Sequence, residues 1–230
     1  NLENIHWDIV IIGGGATGMG CAIDAASRGY KTLLLEKEDY GKGTSSKSTK
    51  LIHGGFRYLQ QGNISLVLES LKERALLKNN APHIVHDLKF VVPTYNWWES
   101  FFYGIGLKIY DWLAGKQGIG RSQLLSKIET TRLLPTISQE DLRGGVLYYD
   151  AQFDDTRLLI NMMQTAKEQG ATVLNYHEFL SFTKTKDGNI DGGKINDTIN
   201  LKQFTVKAKV IVNATGVLSD TIRNMNISTS

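Results

Sequence analysis

Apolar residues along the chain change their spacing several times, and each change marks an element. Trp7 to Ile12 is a short, β-branched apolar run stopped by Gly13-Gly14-Gly15, which predicts a buried strand. From Ala16 to Arg28 the spacing turns helical: Ala22, Ile23 and Ala26 share a face, and Gly29 suits the position just past the end. Lys31 to Glu36 returns to a buried strand. Strand, glycine turn, helix and strand in this order imply a parallel sheet. A helix is expected over about 64–79, with Ile64, Val67, Leu68, Leu71 and Ala75 as its apolar stripe.

Farther on, Leu88 to Pro93 reads as a strand, Trp98 to Ala114 as a helix and Gly145 to Tyr149 as a strand. Ser126-x-x-Glu129 is a capping box that opens a short helix. A helix over Asp155 to Gln169 has Asp154 as its expected N-cap and Gly170 after its end. Thr172 to Tyr176 is strand-like. Phe179 to Lys184 and Lys202 to Val206 flank a loop at Lys186-Asp187-Gly188-Asn189, which predicts a β-meander. Lys209 to Asn213 is a further buried strand, ending at Ala214-Thr215-Gly216. Neither an internal repeat nor a low-complexity linker interrupts the pattern.

Composition narrows the function classes. The 230 residues carry a formal charge of +3. That excess suits an anionic small molecule or an acidic lipid surface and is too small and too evenly spread for nucleic acid. Cys21 is the single cysteine, so an internal disulfide is excluded, a reducing compartment is the natural reading, and the thiol is expected to be structural. WDIVII is too short for a signal peptide, and no uncharged apolar stretch reaches the roughly 18 residues a membrane span needs. A soluble or peripheral protein is expected. His83 and His86 flank Ile84-Val85 without partners at ligand spacing, and Asp154-Asp155 reads as a helix start, so no metal site is expected.

The chemistry starts at Gly13-x-Gly15-x-x-Gly18, followed by Ala22, Gly29 and Glu36. One glycine permits the tight turn, one lets backbone N–H groups approach a pyrophosphate, and one lets the helix pack closely on the sheet. The helix tip adds about half a positive charge facing the anion. Glu36 can accept hydrogen bonds from a ribose and would repel a 2′-phosphate, which argues against NADP. Candidate cofactor contacts at this end are Gly13, Gly15, Ala16, Thr17, Gly18, Glu36 and Lys37.

From these residues the dinucleotide is NAD or FAD, and two features favour FAD. Val212-Asn213-Ala214-Thr215-Gly216 resembles a segment that many flavoproteins pack against the cofactor, making Ala214, Thr215 and Gly216 candidates. The second is TSSKSTKLIHGGFRYL, Thr44 to Leu59, a stretch with too few regularly spaced apolar residues for a core element. Its hydroxyls at Thr44, Ser45, Ser46, Ser48 and Thr49 offer donors for phosphate and flavin edges.

That stretch resembles the signature of FAD-dependent glycerol-3-phosphate dehydrogenases, within the D-amino-acid-oxidase-like flavoproteins. APHIV, YDWLAGKQ, LLSKIETTRLLP, GGVLYYDAQFDDTRL, KAKVIVNATG and SDTIRNM agree in order along the whole chain. Val217 departs where the family usually has proline, and Lys47 where arginine is common. The family continues well past residue 230, so the resemblance implies an N-terminal portion, truncated at the C-terminus. The fold class implied is α/β: a Rossmann-type FAD-binding domain, a parallel sheet with a β-meander, over 1–80 and 150–230. Part of an α+β substrate domain is expected over 81–149.

The resemblance also implies residue roles. Thr44, Ser45, Ser46 and Thr49 would contact the FAD, Lys50 and Leu51 would line the ring, and His53 would reach both the cofactor and the substrate side. His53, Arg57 and Tyr58 are the candidate catalytic residues. A neutral histidine accepts a proton near neutral pH, and arginine presents a fixed fork for a phosphate or developing alkoxide. The implied reaction is oxidation of sn-glycerol 3-phosphate to dihydroxyacetone phosphate with a quinone as electron acceptor. A glycerol-3-phosphate oxidase using O2, or an FAD-binding fragment without turnover, are the alternatives. A cytoplasmic location, peripheral on the inner face of the cell membrane, follows from that reading, with a homodimer as a further candidate partner. YNWWESFFYGIGLKIYDWL holds three of the four tryptophans and reads as the aromatic core of the substrate domain or as a lipid-facing surface.

Overall fold

The computed structural model describes residues 2–53, 63–115 and 118–227. In chain order the elements begin with β1 (His6–Ile12), α1 (Ala16–Ser27), β2 (Thr32–Leu35), β3 (Leu51–Ile52), α2 (Ile64–Asn80), β4 (His86–Thr94), α3 (Trp97–Ala114) and β5 (Gln123–Ser126). They continue with α4 (Lys127–Leu133), β6 (Gly144–Gln152), α5 (Asp155–Glu168), β7 (Thr172–Leu174), β8 (His177–Lys184), β9 (Ile190–Asp197), β10 (Lys202–Asn213) and α6 (Ser219–Ile227). Two compact bodies form, one from 1–48 with 155–230 and the other from 49–154.

The first body is a six-stranded sheet in the order β7-β2-β1-β10-β9-β8. β1 is parallel to β2 and to the second half of β10, and β2 is parallel to β7. From Ile9 to Ile12 the period-two alternation of β1 feeds both faces. Trp7, Val10 and Ile12 join Leu33, Leu35, Phe179, Ile195, Val206 and Ile222 in one core, while Ile11 meets Met19, Ala22, Ala26, Leu34, Leu159 and Ala166 in the other. Helices α1 and α5 therefore cover one face. Gly29 (φ +84) and Gly170 (φ +98) stand just past those two helices in the left-handed conformation that ends a helix.

The meander differs from its expected form. The loop at 186–189, with Gly188 at φ +82, joins β8 to β9, and β9 then pairs with β10. β9 reads IDGGKIND, too polar and glycine-rich to look like a strand. Gly192 and Gly193 belong there because added Cβ atoms would meet the Val206 carbonyl oxygen at 2.0 Å and the Phe179 ring at 2.2 Å. The two strands expected at 202–206 and 209–213 are one strand. β10 is antiparallel to β9 through Lys207 and runs parallel to β1 from His6↔Lys207 to Ile12↔Asn213.

In the second body β6 is central, flanked by β4 on one side and by β3 and β5 on the other. Val67, Leu71, Leu107, Tyr110, Ala114 and Val146 form its core. Residues 49–53 and 63–80, expected with the first body, fall here, and α2 buries Val67 and Leu71 beside α3. The expected α2 stripe is narrower than the sequence suggests, with Ile64 and Leu68 exposed and Arg74 buried. Arg74 is drawn inward by Asp150 on β6, to which it donates at 2.8 Å, and it also donates to the Tyr110 hydroxyl at 3.0 Å. The capping box at Ser126 and Glu129 forms as expected. Helix α3 splits the aromatic segment: Leu107, Tyr110 and Ala114 are core, whereas Trp97, Trp98, Phe101, Phe102, Ile105, Ile109 and Trp112 are exposed. A packed aromatic core is thus only half of what this segment makes. No described helix is long and apolar enough to cross a membrane.

Candidate functional site

A cleft of about 550 Å³ opens in the first body where the carboxyl ends of β1, β2 and β10 meet the start of α1, the usual ligand position in such sheets. At its floor Gly13 sits at φ +112, and a Cβ there would come within 2.5 Å of the Ala214 carbonyl oxygen. A Cβ on Gly18 would lie 1.9 Å from the Gly13 oxygen, so turn and helix pack backbone on backbone. Gly15 is different: it is the N-cap of α1, receives no side-chain cap, and has nothing within 4 Å of its missing Cβ. Its bare helix tip faces the cleft, leaving first-turn N–H groups for an anion.

The Glu36 carboxylate is fixed on this turn, accepting from the Gly14 N–H at 2.7 Å and the Glu38 N–H at 2.9 Å. A Cβ on Gly14 would stand 2.8 Å from the Glu36 side chain, so the middle glycine makes room for the acid. The backbone beyond Glu36 is pinned by β7 and β8: Glu36 N–H donates to Leu174, and His177 N–H donates to Glu36, both at 2.8 Å. Lys42 hydrogen-bonds Glu38 and holds that carboxyl below its usual range. Burial, with Asp39 beside it, pushes the Tyr40 phenol up to about 12 and keeps it neutral.

Gly13, Gly15, Ala16, Thr17, Glu36, Lys37, Thr44, Ser45, Ala214, Thr215 and Gly216 all line the cleft. Gly18 lies behind it as a packing residue. Ser46 sits on the short 3-10 turn Thr44–Ser46 with its hydroxyl donating to the Lys42 and Gly43 carbonyls. Thr49, Lys50, Leu51 and His53 belong to the second body, where Leu51 pairs with Gln152 and His53 is exposed beyond β3. Arg57 and Tyr58 lie outside the described residues. Among the described residues no group of three or more His, Cys, Asp or Glu side chains could hold a metal ion.

Sequence reasoning missed several lining residues. His177, Glu178 and Phe179 come from the start of β8, and Thr221, Ile222 and Met225 from α6. The β2–β7 pairing and the His177 N–H bond to the Glu36 carbonyl bring the former to the cleft, and the strand expected over Thr172 to Tyr176 after a helix was a hint of that pairing.

A parallel sheet carrying a meander, with a bare glycine-capped helix tip and a fixed acid at the next strand's end, defines a dinucleotide-binding flavoprotein fold. The chain belongs to the FAD dependent oxidoreductase family, whose model matches residues 8–229. It is 42% identical to the mitochondrial glycerol-3-phosphate dehydrogenase of Schizosaccharomyces pombe, over 98% of this chain and 36% of that protein. With the aerobic glycerol-3-phosphate dehydrogenase of Staphylococcus aureus it shares 43%, over 97% and 41%. The glycerol-3-phosphate dehydrogenase of Bacillus halodurans, solved with FAD, superposes with a TM-score of 0.75 at 32% identity, over 98% of this chain and 37% of that one. L-proline dehydrogenase of P. horikoshii, at 22% identity and a TM-score of 0.71, shares the fold. The chain spans between 32% and 41% of the length of its curated relatives.

FAD is the family's cofactor, and the residues present fit it. The open space at Gly15 admits a phosphate, Glu36 has carboxylate oxygens ready for a ribose, and Thr44 and Ser45 add hydroxyls along the wall.

Proposed function

We propose that this chain is the FAD-binding portion of an enzyme that oxidises sn-glycerol 3-phosphate to dihydroxyacetone phosphate and passes the electrons to a quinone. The observation that carries the reading is the 41–43% identity to glycerol-3-phosphate dehydrogenases across nearly the whole chain. The fold alone is shared with enzymes that act on amino acids. In this reading the first body holds the dinucleotide and the second is part of the substrate domain. Backbone N–H groups at Gly15, Ala16 and Thr17 hold the diphosphate, Glu36 the ribose, and Thr44, Ser45 and the Ala214–Gly216 turn the remaining length. When bound, FAD would supply a two-electron acceptor for the hydride leaving carbon 2. His53 accepts the hydroxyl proton and Arg57 grips the phosphate, with Tyr58 as a further substrate-side residue.

A quinone acceptor calls for a lipid surface, and α3 supports one. Its exposed face runs from Trp97 to Trp112, the latter 79% exposed, with Lys108 able to reach past the rings to headgroups. A second reading is that this stretch of chain binds the cofactor without turnover by itself.

Glycerol-3-phosphate-dependent dye reduction by this chain and by the longest form of the protein tests these readings together. Flavin absorbance in the purified chain is expected, with turnover in the longer form that Arg57→Ala reduces by two orders of magnitude or more. A colourless chain that ignores added FAD, or a longer form indifferent to glycerol 3-phosphate, ends the proposal.

A further inference from the structure

We infer that Asp155 is a positioning residue for the cofactor, fixing the hydroxyl loop 41–48 against the cleft through Ser48; this rests on the FAD reading above. The loop is tied down at both ends. At one end the Gly41 N–H donates to the Gly14 carbonyl at 3.3 Å, fastening it to the glycine turn. Gly41 itself, at φ +72, lies where a Cβ would press on Leu159 of α5 at 2.8 Å, with Thr156 close by. At the other end the Ser48 hydroxyl donates to the Asp155 carboxylate, 107 residues away in sequence.

Between those anchors the loop is held by its own short-range bonds: Ser46 N–H to Gly41, Lys47 N–H to Thr44, and the Ser46 hydroxyl to Lys42 and Gly43. Such bonds keep the turn compact, and Lys42 adds a tie to Glu38 beyond it at 2.8 Å. Thr44 and Ser45 line the cleft between these ties, and the one at the far end comes from the first turn of α5.

Asp155 also lines the cleft. A carboxylate near the place proposed for a diphosphate is electrostatically costly, so charge alone gives no reason for it. Its use is as an acceptor, and a hydrogen bond to an ionised group is the strong kind. The first turn of α5 offsets part of the repulsion with its own positive end.

The test is FAD affinity, read by flavin fluorescence on titration into cofactor-free protein, for Asp155→Ala, Asp155→Asn, Ser48→Ala and the Ser48→Ala/Asp155→Ala pair. Asp155→Ala and Ser48→Ala are each expected to weaken binding about tenfold or more, the value of a lost charge-assisted hydrogen bond. The double variant should be no weaker than the weaker single one, because both remove the same contact. Asp155→Asn keeps an acceptor oxygen and should stay within about threefold of the parent. Urea midpoints of the cofactor-free Ala and Asn variants should agree, which separates placement of the loop from general stability. Losses that add in the double variant, or equal weakening by Ala and Asn, overturn the inference, as does tighter binding by both. If Asp155→Ala does not fold, Ser48→Ala binding FAD like the parent overturns it alone. A parent chain that takes up no FAD removes the reading beneath it as well, whereas a parent that binds with unaffected variants removes only the role of Asp155.

Discussion

Gly15 and Gly18 lie three residues apart and lack a side chain for opposite reasons. Gly18 is excluded from having one by the Gly13 carbonyl, whereas Gly15 faces open space in ordinary extended backbone, φ −85 and ψ −177. Gly18→Ala should therefore cost about 1–3 kcal/mol of stability by overpacking, seen as a lower urea midpoint. Gly15→Ser should leave the midpoint equal or slightly higher, because serine is a good N-cap in that conformation. Its hydroxyl would then occupy the N–H groups an anion needs, so FAD affinity should fall at least about tenfold. Equal loss of stability in both variants would show that Gly15 is structural too. The glycine spacing was legible from the sequence, but this division of labour was not, because it depends on which backbone stands opposite each Cα.

At the scale of elements, the buried Arg74–Asp150 pair joins α2 to β6 inside the second body. Asp150→Ala leaves the guanidinium buried without its carboxylate and should cost about 3–5 kcal/mol, more than truncating any exposed pair such as Lys78–Asp87. Urea unfolding followed by tryptophan fluorescence, with all four tryptophans in the protein counted, reports the loss. Helix α3 makes a second prediction. Trp97→Ser/Trp98→Ser should weaken flotation with anionic liposomes, since these two rings are 59% and 61% exposed; absence of flotation by the parent chain removes the lipid surface. Elements with one clear apolar period, such as β1, α1 and α5, were readable in advance. β9 was hidden by its glycines, and Arg74 by the assumption that a helix turns its charges outward. The hydroxyl loop was legible as a polar stretch, while its anchor at Asp155 belongs to a contact no local pattern encodes.

Across the first body, two lysines of β10 pair with carboxylates on both neighbouring strands: Lys207 with Asp191 of β9, and Lys209 with Asp8 of β1 at 2.6 Å. These hydrogen bonds hold Asp191 and Asp8 below the ordinary carboxylate value of 3.8, and Asn200 does the same for Asp197. A lowered folded-state pKa contributes stability above the unfolded value, and that contribution is lost as pH falls through the folded one. The urea midpoint should thus be flat above about pH 5 and drop below about pH 4. Asp191→Asn should start lower and show a shallower acid limb. An acid limb identical to the parent's would exclude Asp191 from it.

β10 changes partners midway, belonging to the meander at its beginning and to the parallel sheet at its end, just before Ala214. Fraying that begins at the distant hairpin has an unbroken rail along which to travel to the cofactor's doorstep. Amide hydrogens at 202–207 and at 210–214 should consequently exchange as one cooperative group, and both should slow together when the cleft is filled.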